Sequence, residues 1–138
     1  MAAIEISVTG QKKVGTLMRE FNERFPYLGL RLYSSEVKKL APGQPFTPYR
    51  VPKEKTLASV REEGAKGGDI SITGNKKIKN LEREFETVFG LYAQVVYCPK
   101  GRPAGSGVIT SGAEDEYTLS GFNEKCQADG NGLYSYGD

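Results

Sequence analysis

Two stretches of the chain begin with the same alternation of apolar and polar residues. Ile4, Ile6 and Val8 alternate with polar residues, and Ile70 and Ile72 repeat this pattern. A period of two is typical of a strand that buries one face and exposes the other. The sequence therefore predicts a strand at the start of each half of the chain.

Each predicted strand leads into a stretch whose apolar residues recur every three or four positions, which predicts an amphipathic helix. Pro26 ends the first helix because its ring cannot continue the helical backbone, and Gly90 ends the second because glycine accepts a left-handed cap. Residues 28–32 and 91–97 then predict a second strand in each half. The apolar helix positions are Val14, Leu17, Phe21 and Phe25, and Ile78, Leu81, Phe85, Val88 and Phe89.

Shorter elements complete each half. Weaker strand patterns lie at 46–51 and 107–111, after loops rich in proline and glycine. Thr56 and Thr118 each precede a short apolar stretch, and threonine is a preferred N-cap residue, so a short helix is predicted after each. The segment 131–138 has no periodicity and is predicted to be a flexible tail.

The two halves match each other at a spacing of 64 residues. Residues 5–14 align with residues 69–78, and every position is identical or conservatively replaced. The alignment continues without a gap to Tyr33 and Tyr97, and the starts of the two short helices match again after a shift of two residues. Matches in one order at nearly one spacing indicate an internal duplication.

The predicted fold class is α+β, with two tandem repeats of strand, helix, two strands and short helix. The units are residues 1–66 and 67–130, and they are expected to share one core because about sixty residues alone would be marginally stable. Two such units favour one mixed sheet with both long helices on one face, in the ferredoxin-like manner. The alternative is units related to the ubiquitin-like β-grasp, although no hairpin precedes the first helix.

The chain resembles a group of uncharacterised bacterial proteins built from a tandem strand-helix-strand repeat. The resemblance covers most of the second unit and, more loosely, the first, and it implies a bacterial protein. It brings no activity, because none is associated with that group. The residues that carry it are Gly68–Gly74, Leu81, Glu82, Phe85, Phe89–Leu91, Gln94, Val95, Thr118 and Leu119.

Composition narrows the class of protein. Hydrophobic residues make up 38% and charged residues 26% of the chain, which is ordinary for a soluble globular protein. No apolar run approaches the roughly 18 residues that span a bilayer, and Met1–Glu5 does not resemble a signal peptide, so a cytoplasmic protein is predicted. Cys98 and Cys126 lack metal-ligand spacing and are predicted to be free thiols.

The residues needed for common catalytic chemistry are missing. The chain has no histidine, which excludes serine-histidine and cysteine-histidine nucleophile systems. Glu114–Glu116 could supply a carboxylate pair or bind a cation, but the first unit has no acidic counterpart, so a solvated loop is favoured. The sequence therefore predicts no enzymatic activity, no metal site and no cofactor.

One polar element is kept in both units, a Thr-Gly-x-Lys-Lys turn between the first strand and the long helix. A helix N-terminus presents unpaired N–H groups and a partial positive charge, so a glycine and two lysines there predict a small-anion site. The P-loop glycine pattern is absent, and the alternative is a tight turn with solvated lysines. The candidate anion-binding residues are Gly10, Lys12, Lys13, Gly74, Lys76 and Lys77.

The leading functional hypothesis is a binding module for a protein partner, with self-association as one form. Residues 1–66 carry 12 Lys/Arg and 7 Asp/Glu (12 − 7 = +5), and residues 67–138 carry 7 and 10 (7 − 10 = −3). Opposite charges can steer such surfaces together. Nucleic-acid binding through Lys12, Lys13 and Lys38-Lys39 is disfavoured because the net charge is only +2. An open sheet face would carry Ser7, Thr9, Arg31, Ser71, Thr73 and Gln94.

Overall fold

The computed structural model describes residues 5–103, 107–110 and 112–134. None of the described helices is long and apolar enough to cross a bilayer. Short 3-10 helices at Ser35–Lys39, Thr47–Tyr49 and Gly112–Glu116 accompany the main elements. The main elements are β1 (Ile6–Val8), α1 (Val14–Arg24), β2 (Leu28–Tyr33), α2 (Leu57–Val60), β3 (Ile70–Ile72), α3 (Ile78–Phe89), β4 (Tyr92–Tyr97), β5 (Val108–Ile109) and α4 (Leu119–Ala128).

The described strands form two antiparallel sheets that join the two halves. β1 pairs with β3, and Ser7 lies opposite Ser71. β2 pairs with β4, where Arg31 lies opposite Gln94, and β5 follows on the other edge of β4. The fold is therefore mixed α+β. The single sheet of the ferredoxin-like prediction is not observed, because β1 and β2 lie in different sheets. The β-grasp alternative would place β2 and β3 in one sheet, which is not observed either.

The ends of the helices follow the predicted capping chemistry. Gly90 adopts a left-handed conformation with φ 71° after α3. The N-cap hydroxyls of Thr56 and Thr118 accept hydrogen bonds from the Ser59 and Gly121 amides at the starts of α2 and α4. The predicted short helices and their threonine caps are confirmed. In the second half this helix is longer, because α4 runs for 10 residues where α2 has 4.

One hydrophobic core contains side chains from both halves. The predicted helical positions are buried except for half-buried Val88, and the Phe21 and Phe25 rings pack with centroids 5.2 Å apart. Cys98 and Cys126 are buried free thiols, as the sequence predicts. From the first half the core takes Ile6, Val8, Val14, Leu17, Phe21, Phe25, Leu28, Leu30, Leu32 and Leu57; from the second it takes Ile70, Ile72, Ile78, Leu81, Phe85, Phe89, Leu91, Ala93, Val95, Leu119, Phe122 and Cys126.

The ungapped match of Tyr33 with Tyr97 is wrong. Tyr97 lies opposite Leu28 in the β2–β4 pair, whereas Tyr33 lies opposite Tyr92. Side chains alternate along β2, so the two tyrosines point to opposite faces of the sheet. Tyr97 packs on Phe122 on the core side. The strand pairing instead supports a spacing one residue shorter here, because Pro26-Tyr27 in the first half aligns with the single residue Gly90 in the second.

The predicted third strand of the first half is mostly absent. Residues Thr47–Tyr49 form a 3-10 helix, and only Arg50 pairs with Tyr33 of β2. Pro48 has no N–H to donate to a ladder, which explains why a strand does not form there. In the second half, β5 covers part of the predicted strand at 107–111, and Ser111 lies outside the described residues.

The second face of the β2–β4 sheet is covered rather than open. Phe46 packs edge-on against Tyr33 and Tyr92, with centroids 5.4 and 5.8 Å apart. The Tyr134 ring lies so close over Gly29 that an added Cβ would come within 2.2 Å of it. Within the segment predicted as a flexible tail, Gly132 bridges to Cys98 and Tyr134 packs on this face, and residues 135–138 lie outside the described residues. Gln94 is only 7% exposed, so it does not form an open partner surface.

Candidate functional site

Both Thr-Gly-x-Lys-Lys turns lie between a short strand and a long helix, as predicted. In the first turn the Lys12 amide donates to the Thr9 carbonyl at 3.2 Å, and in the second the Lys76 amide donates to Thr73 at 3.2 Å. None of the hydrogen bonds or ion pairs within the described ranges joins one turn to the other. The two turns therefore form two separate local structures rather than one shared anion site.

The backbone of the first turn binds the start of α2. The Ala58 amide donates to the Gly10 carbonyl at 2.8 Å, and the Leu57 amide donates to Lys12 at 2.9 Å. A Cβ added at Gly10 would come within 3.1 Å of the Ala58 Cβ. The glycine therefore gives the short helix room to approach, since a side chain here would push Ala58 away by a few tenths of an ångström. The first turn therefore serves as the docking point of α2.

The second turn binds the start of α4 in the same way. The Ser120 amide donates to the Gly74 carbonyl at 3.0 Å, and the Leu119 amide donates to Lys76 at 2.9 Å. A Cβ added at Gly74 would meet the Ser120 hydroxyl at 2.0 Å. Both turns consequently have the same structural role.

The threonine caps at these docking points provide a test. Thr118→Ala removes the hydroxyl that accepts from the Gly121 amide at 3.0 Å, and we expect it to lower the free energy of unfolding by about 0.5–2 kcal/mol. Thr118→Ser keeps the acceptor and should retain most of the stability. Urea unfolding of both variants checks the prediction, and equal loss in the two would show that the hydroxyl is not the cause.

Several of the candidate lysines already have carboxylate partners. Lys12 Nζ lies 2.5 Å from a Glu20 oxygen, and Lys76 Nζ lies 2.6 Å from Glu84. Lys76 Nζ also donates to the Ser71 carbonyl at 2.5 Å. Lys77 lies 3.8 Å from the Glu116 carboxylate, and Lys13 is an exposed N-cap residue. These contacts give the conserved pair Lys12 and Lys76 a role in tying turn to helix.

The amides at the helix starts are occupied as well. The Val14 and Gly15 amides of α1 donate to the carbonyls of Lys55 and Lys53, both at 2.9 Å. In α3 the Ile78 amide donates to Tyr117 at 3.0 Å. An anion would have to displace these backbone acceptors, so the contacts lend no support to the small-anion prediction. The nucleic-acid prediction gains none either, because Lys38 forms an ion pair with Glu86.

The acidic segment Gly112–Glu116 is a 3-10 helix that contacts α3, and none of its five residues is buried. Tyr97 Oη donates to Glu114 at 3.0 Å, and Thr110 Oγ1 donates to Asp115 at 2.9 Å. Glu116 lies 2.9 Å from Lys79 Nζ. No group of ligating side chains within the described ranges could hold a metal ion. The three carboxylates therefore hold the segment in place.

Glu82 of α3 is a functional group that the sequence did not single out. Burial and the nearby Asp115 raise its pKa to about 7, against a lowering contribution from the Val95 amide, which donates to it at 3.4 Å. The corresponding residue of α1 is Met18. Because an ordinary surface pattern surrounds Glu82 in the sequence, only the fold reveals its burial.

A groove of about 410 Å³ lies between α1, β2 and the segment that leads into α2. We call it the first-half groove. Its apolar part is formed by buried Leu32 and half-buried Met18 and Val51. Three basic residues and one acid give its lining a formal charge of +2. The lining residues are Met18, Arg31, Leu32, Arg50, Val51, Pro52, Lys53 and Glu54.

In the second half the corresponding connecting segment contains the acidic 3-10 helix Gly112–Glu116, which packs on α3. Both connecting segments begin with a hydrogen bond to the neighbouring strand, from Val51 to Leu32 at 3.2 Å and from Thr110 to Val95 at 3.0 Å. Both end where a carbonyl accepts from the start of the long helix, at Lys55 and Tyr117.

The two connecting segments differ in length between these fixed points. Residues 52–54 span them in the first half, and residues 111–116 in the second, so the second half has three more. Its 3-10 helix Gly112–Glu116 packs on α3, and the shorter first segment leaves the groove open.

A larger groove of about 500 Å³ lies beside β1 and α1. Its lining mixes Glu5, Glu20 and Glu23 with Lys12 and Arg24. Lys12 is paired with Glu20, and the Arg24 guanidinium lies 4.8 Å from the centroid of the Phe25 ring. No described segment of the second half indicates what would occupy the groove beside β1 and α1. The first-half groove is therefore the better candidate site despite its smaller volume.

Comparison of the chain with protein-family models, with curated proteins and with solved structures finds no match.

Proposed function

We propose that the protein is a non-enzymatic binding module that takes a short segment of a protein partner into the first-half groove. One observation carries the proposal: the second half packs residues 112–116 of its longer connecting segment against α3, whereas the shorter segment of the first half borders an open groove. A concave surface with an apolar floor and a few polar groups at its rim is suited to bind a ligand. The second half indicates that the ligand is a piece of polypeptide.

The proposal treats the two halves as copies of one duplicated unit. The sequence match at a spacing of 64 residues supports this, and so do the backbone contacts that recur in both halves. The bridge between Lys13 and Thr56 has its counterpart between Lys77 and Thr118. On this interpretation the copies diverged in one connecting segment, and the shorter one provides the binding surface.

A separate partner fits better than a second copy of the chain. A second copy would have to insert its own residues 112–116, but these are held in place by Tyr97, Thr110 and Lys79. Releasing them would expose the part of α3 that they cover. The proposal therefore favours a different protein over self-association.

The chemistry of the groove supports binding rather than catalysis. Its lining contains one carboxylate, Glu54, and no hydroxyl or thiol that could act as a nucleophile. The chain has no histidine to serve as a general base. Small-anion binding at the two turns is the weaker alternative, because Lys12 and Lys76 are paired with carboxylates.

Selection of displayed peptide segments tests the proposal. Met18→Trp places an indole in the groove, and segments selected on the unmodified protein should bind this variant at least about tenfold more weakly, a loss of roughly 1.4 kcal/mol. Arg83→Trp is the matched control, since it adds the same bulk at an exposed position of α3. Thermal unfolding of both variants shows that the fold is intact. Selected segments that bind the Met18→Trp protein as well as the unmodified one would contradict the proposal.

A further inference from the structure

The first-half groove has an internal template for its ligand. In the second half the corresponding segment forms the 3-10 helix Gly112–Glu116, which carries three successive acids. Each acid contacts a donor from the surrounding structure, Tyr97, Thr110 or Lys79. A short turn with carboxylates directed to its surroundings is therefore a shape that this fold accommodates beside its long helix.

The walls of the two spaces differ in charge at corresponding positions. The helix wall has Glu82 in the second half and Met18 in the first. Arg50 pairs with Tyr33 at the place where Ile109 pairs with Val96. Lys53 corresponds to Asp115, because each lies two residues before the carbonyl that accepts from the start of the long helix, Lys55 in the first half and Tyr117 in the second. Every one of these replacements makes the first half more positive or less negative than the second.

At these three positions the first half presents less negative charge to an acidic segment than the second half does, although Lys79, the cation that binds Glu116, corresponds to Gly15. In the second half Asp115 lies close enough to Glu82 to disfavour its ionisation. In the first half, a ligand residue at the position that corresponds to Asp115 would face apolar Met18, with Arg50 and Lys53 at the rim of the groove. Opposite charges attract more strongly where solvent is partly excluded.

We infer that the partner segment is acidic: a short turn rich in glutamate and aspartate, like residues 112–116 of the chain itself. This inference rests on the proposed function and narrows it to a class of partner. The apolar floor of Met18, Leu32 and Val51 packs against the turn, and the two rim cations bind its carboxylates. A nucleic acid would offer phosphates to the cations but no matching side chains to the floor.

A labelled peptide with the sequence of residues 110–118 is the probe. Its binding is measured by fluorescence anisotropy at low salt, about 20 mM, where screening is weak. We expect a dissociation constant of about 0.1–1 mM, the range for a short linear ligand with few contacts. The same peptide with glutamine and asparagine in place of its acids should bind about tenfold more weakly.

Two matched double variants locate the site. Arg50→Gln with Lys53→Gln should weaken binding of the acidic peptide by about tenfold and leave the neutral peptide unchanged. Lys39→Gln with Lys66→Gln removes the same charge from exposed positions elsewhere and should leave both affinities unchanged. Met18→Trp should abolish binding of both peptides.

The outcomes separate the inference from the proposed function. Equal binding of acidic and neutral peptides, with loss in Met18→Trp, would overturn the acidic class and leave the groove as a binding site. Failure of the acidic peptide to bind at about 1 mM, or its displacement by an equal concentration of single-stranded oligonucleotide, would also overturn the acidic class. Peptide binding that Met18→Trp does not affect would overturn the groove itself.

Discussion

Phe21→Ala is expected to lower the free energy of unfolding by about 3–5 kcal/mol and to unfold both halves of the protein together. Phe21 lies at the centre of the buried face of α1, is fully buried and contacts the Phe25 ring. Removing a buried phenylalanine side chain costs this much, because the transfer free energy is lost and a cavity remains. Most domains of this size have only about 5–15 kcal/mol in total, so the loss is large.

The joint unfolding follows from the pairing of the strands. β1 and β2 of the first half find their sheet partners in β3 and β4 of the second half. Once either half has unfolded, the β1–β3 and β2–β4 pairs are lost. Phe21→Ala should therefore lower the free energy of unfolding of the second half as much as that of the first.

Urea unfolding followed by two probes checks this prediction. Far-ultraviolet circular dichroism reports the helices of both halves, and hydrogen exchange of the Phe85 and Leu81 amides reports the second half alone. Phe85→Ala should give a matching loss, and Leu133→Ala, at a side chain 60% exposed, should change little. Two separate transitions, or a loss confined to the first half, would contradict a shared core.

The sequence predicted the local elements well, because their signals are local. The spacing of Val14, Leu17 and Phe21 is enough to place α1, and the cap chemistry of Gly90 and Thr118 is enough to end one helix and begin another. The sheet arrangement was predicted wrongly, because strands of three residues such as β1 and β3 carry no signal for their partner. Pairing across the halves depends on how both helices pack into one core.

The candidate site was predictable only in part. The two Thr-Gly-x-Lys-Lys turns are prominent in the sequence because both halves contain them, and the docking of α2 and α4 on their backbones accounts for this. The first-half groove follows from a difference in length between 52–54 and 111–116. That difference is visible in the sequence only after the fold has shown which backbone contacts correspond. The burial of Glu82 could not be predicted, because the packing of 112–116 on α3 is not visible in a helical pattern.

The burial of Glu82 should make the protein less stable as the pH rises. Burial and Asp115 raise its pKa to about 7 in the folded protein, from an ordinary value of 4.5. Below about pH 4.5 the side chain is protonated in both states, so the stability linked to it is fully present. Between 4.5 and 7 the unfolded chain is ionised while the folded protein keeps the proton, and this stability is lost. Above 7 the folded protein carries the buried charge.

Glu82→Met should therefore stabilise the protein by about 1–2 kcal/mol at about pH 8, after allowance for solvent screening of a half-buried group. Methionine is the residue that α1 has at the corresponding position, Met18, so the helix can pack it. The gain should shrink at about pH 5, since most of the penalty is absent there. Urea unfolding at both pH values measures the difference, with Glu124→Gln as an exposed control. A gain that is the same at both pH values would point to packing, and no gain at pH 8 would show that Glu82 is not strained by its burial.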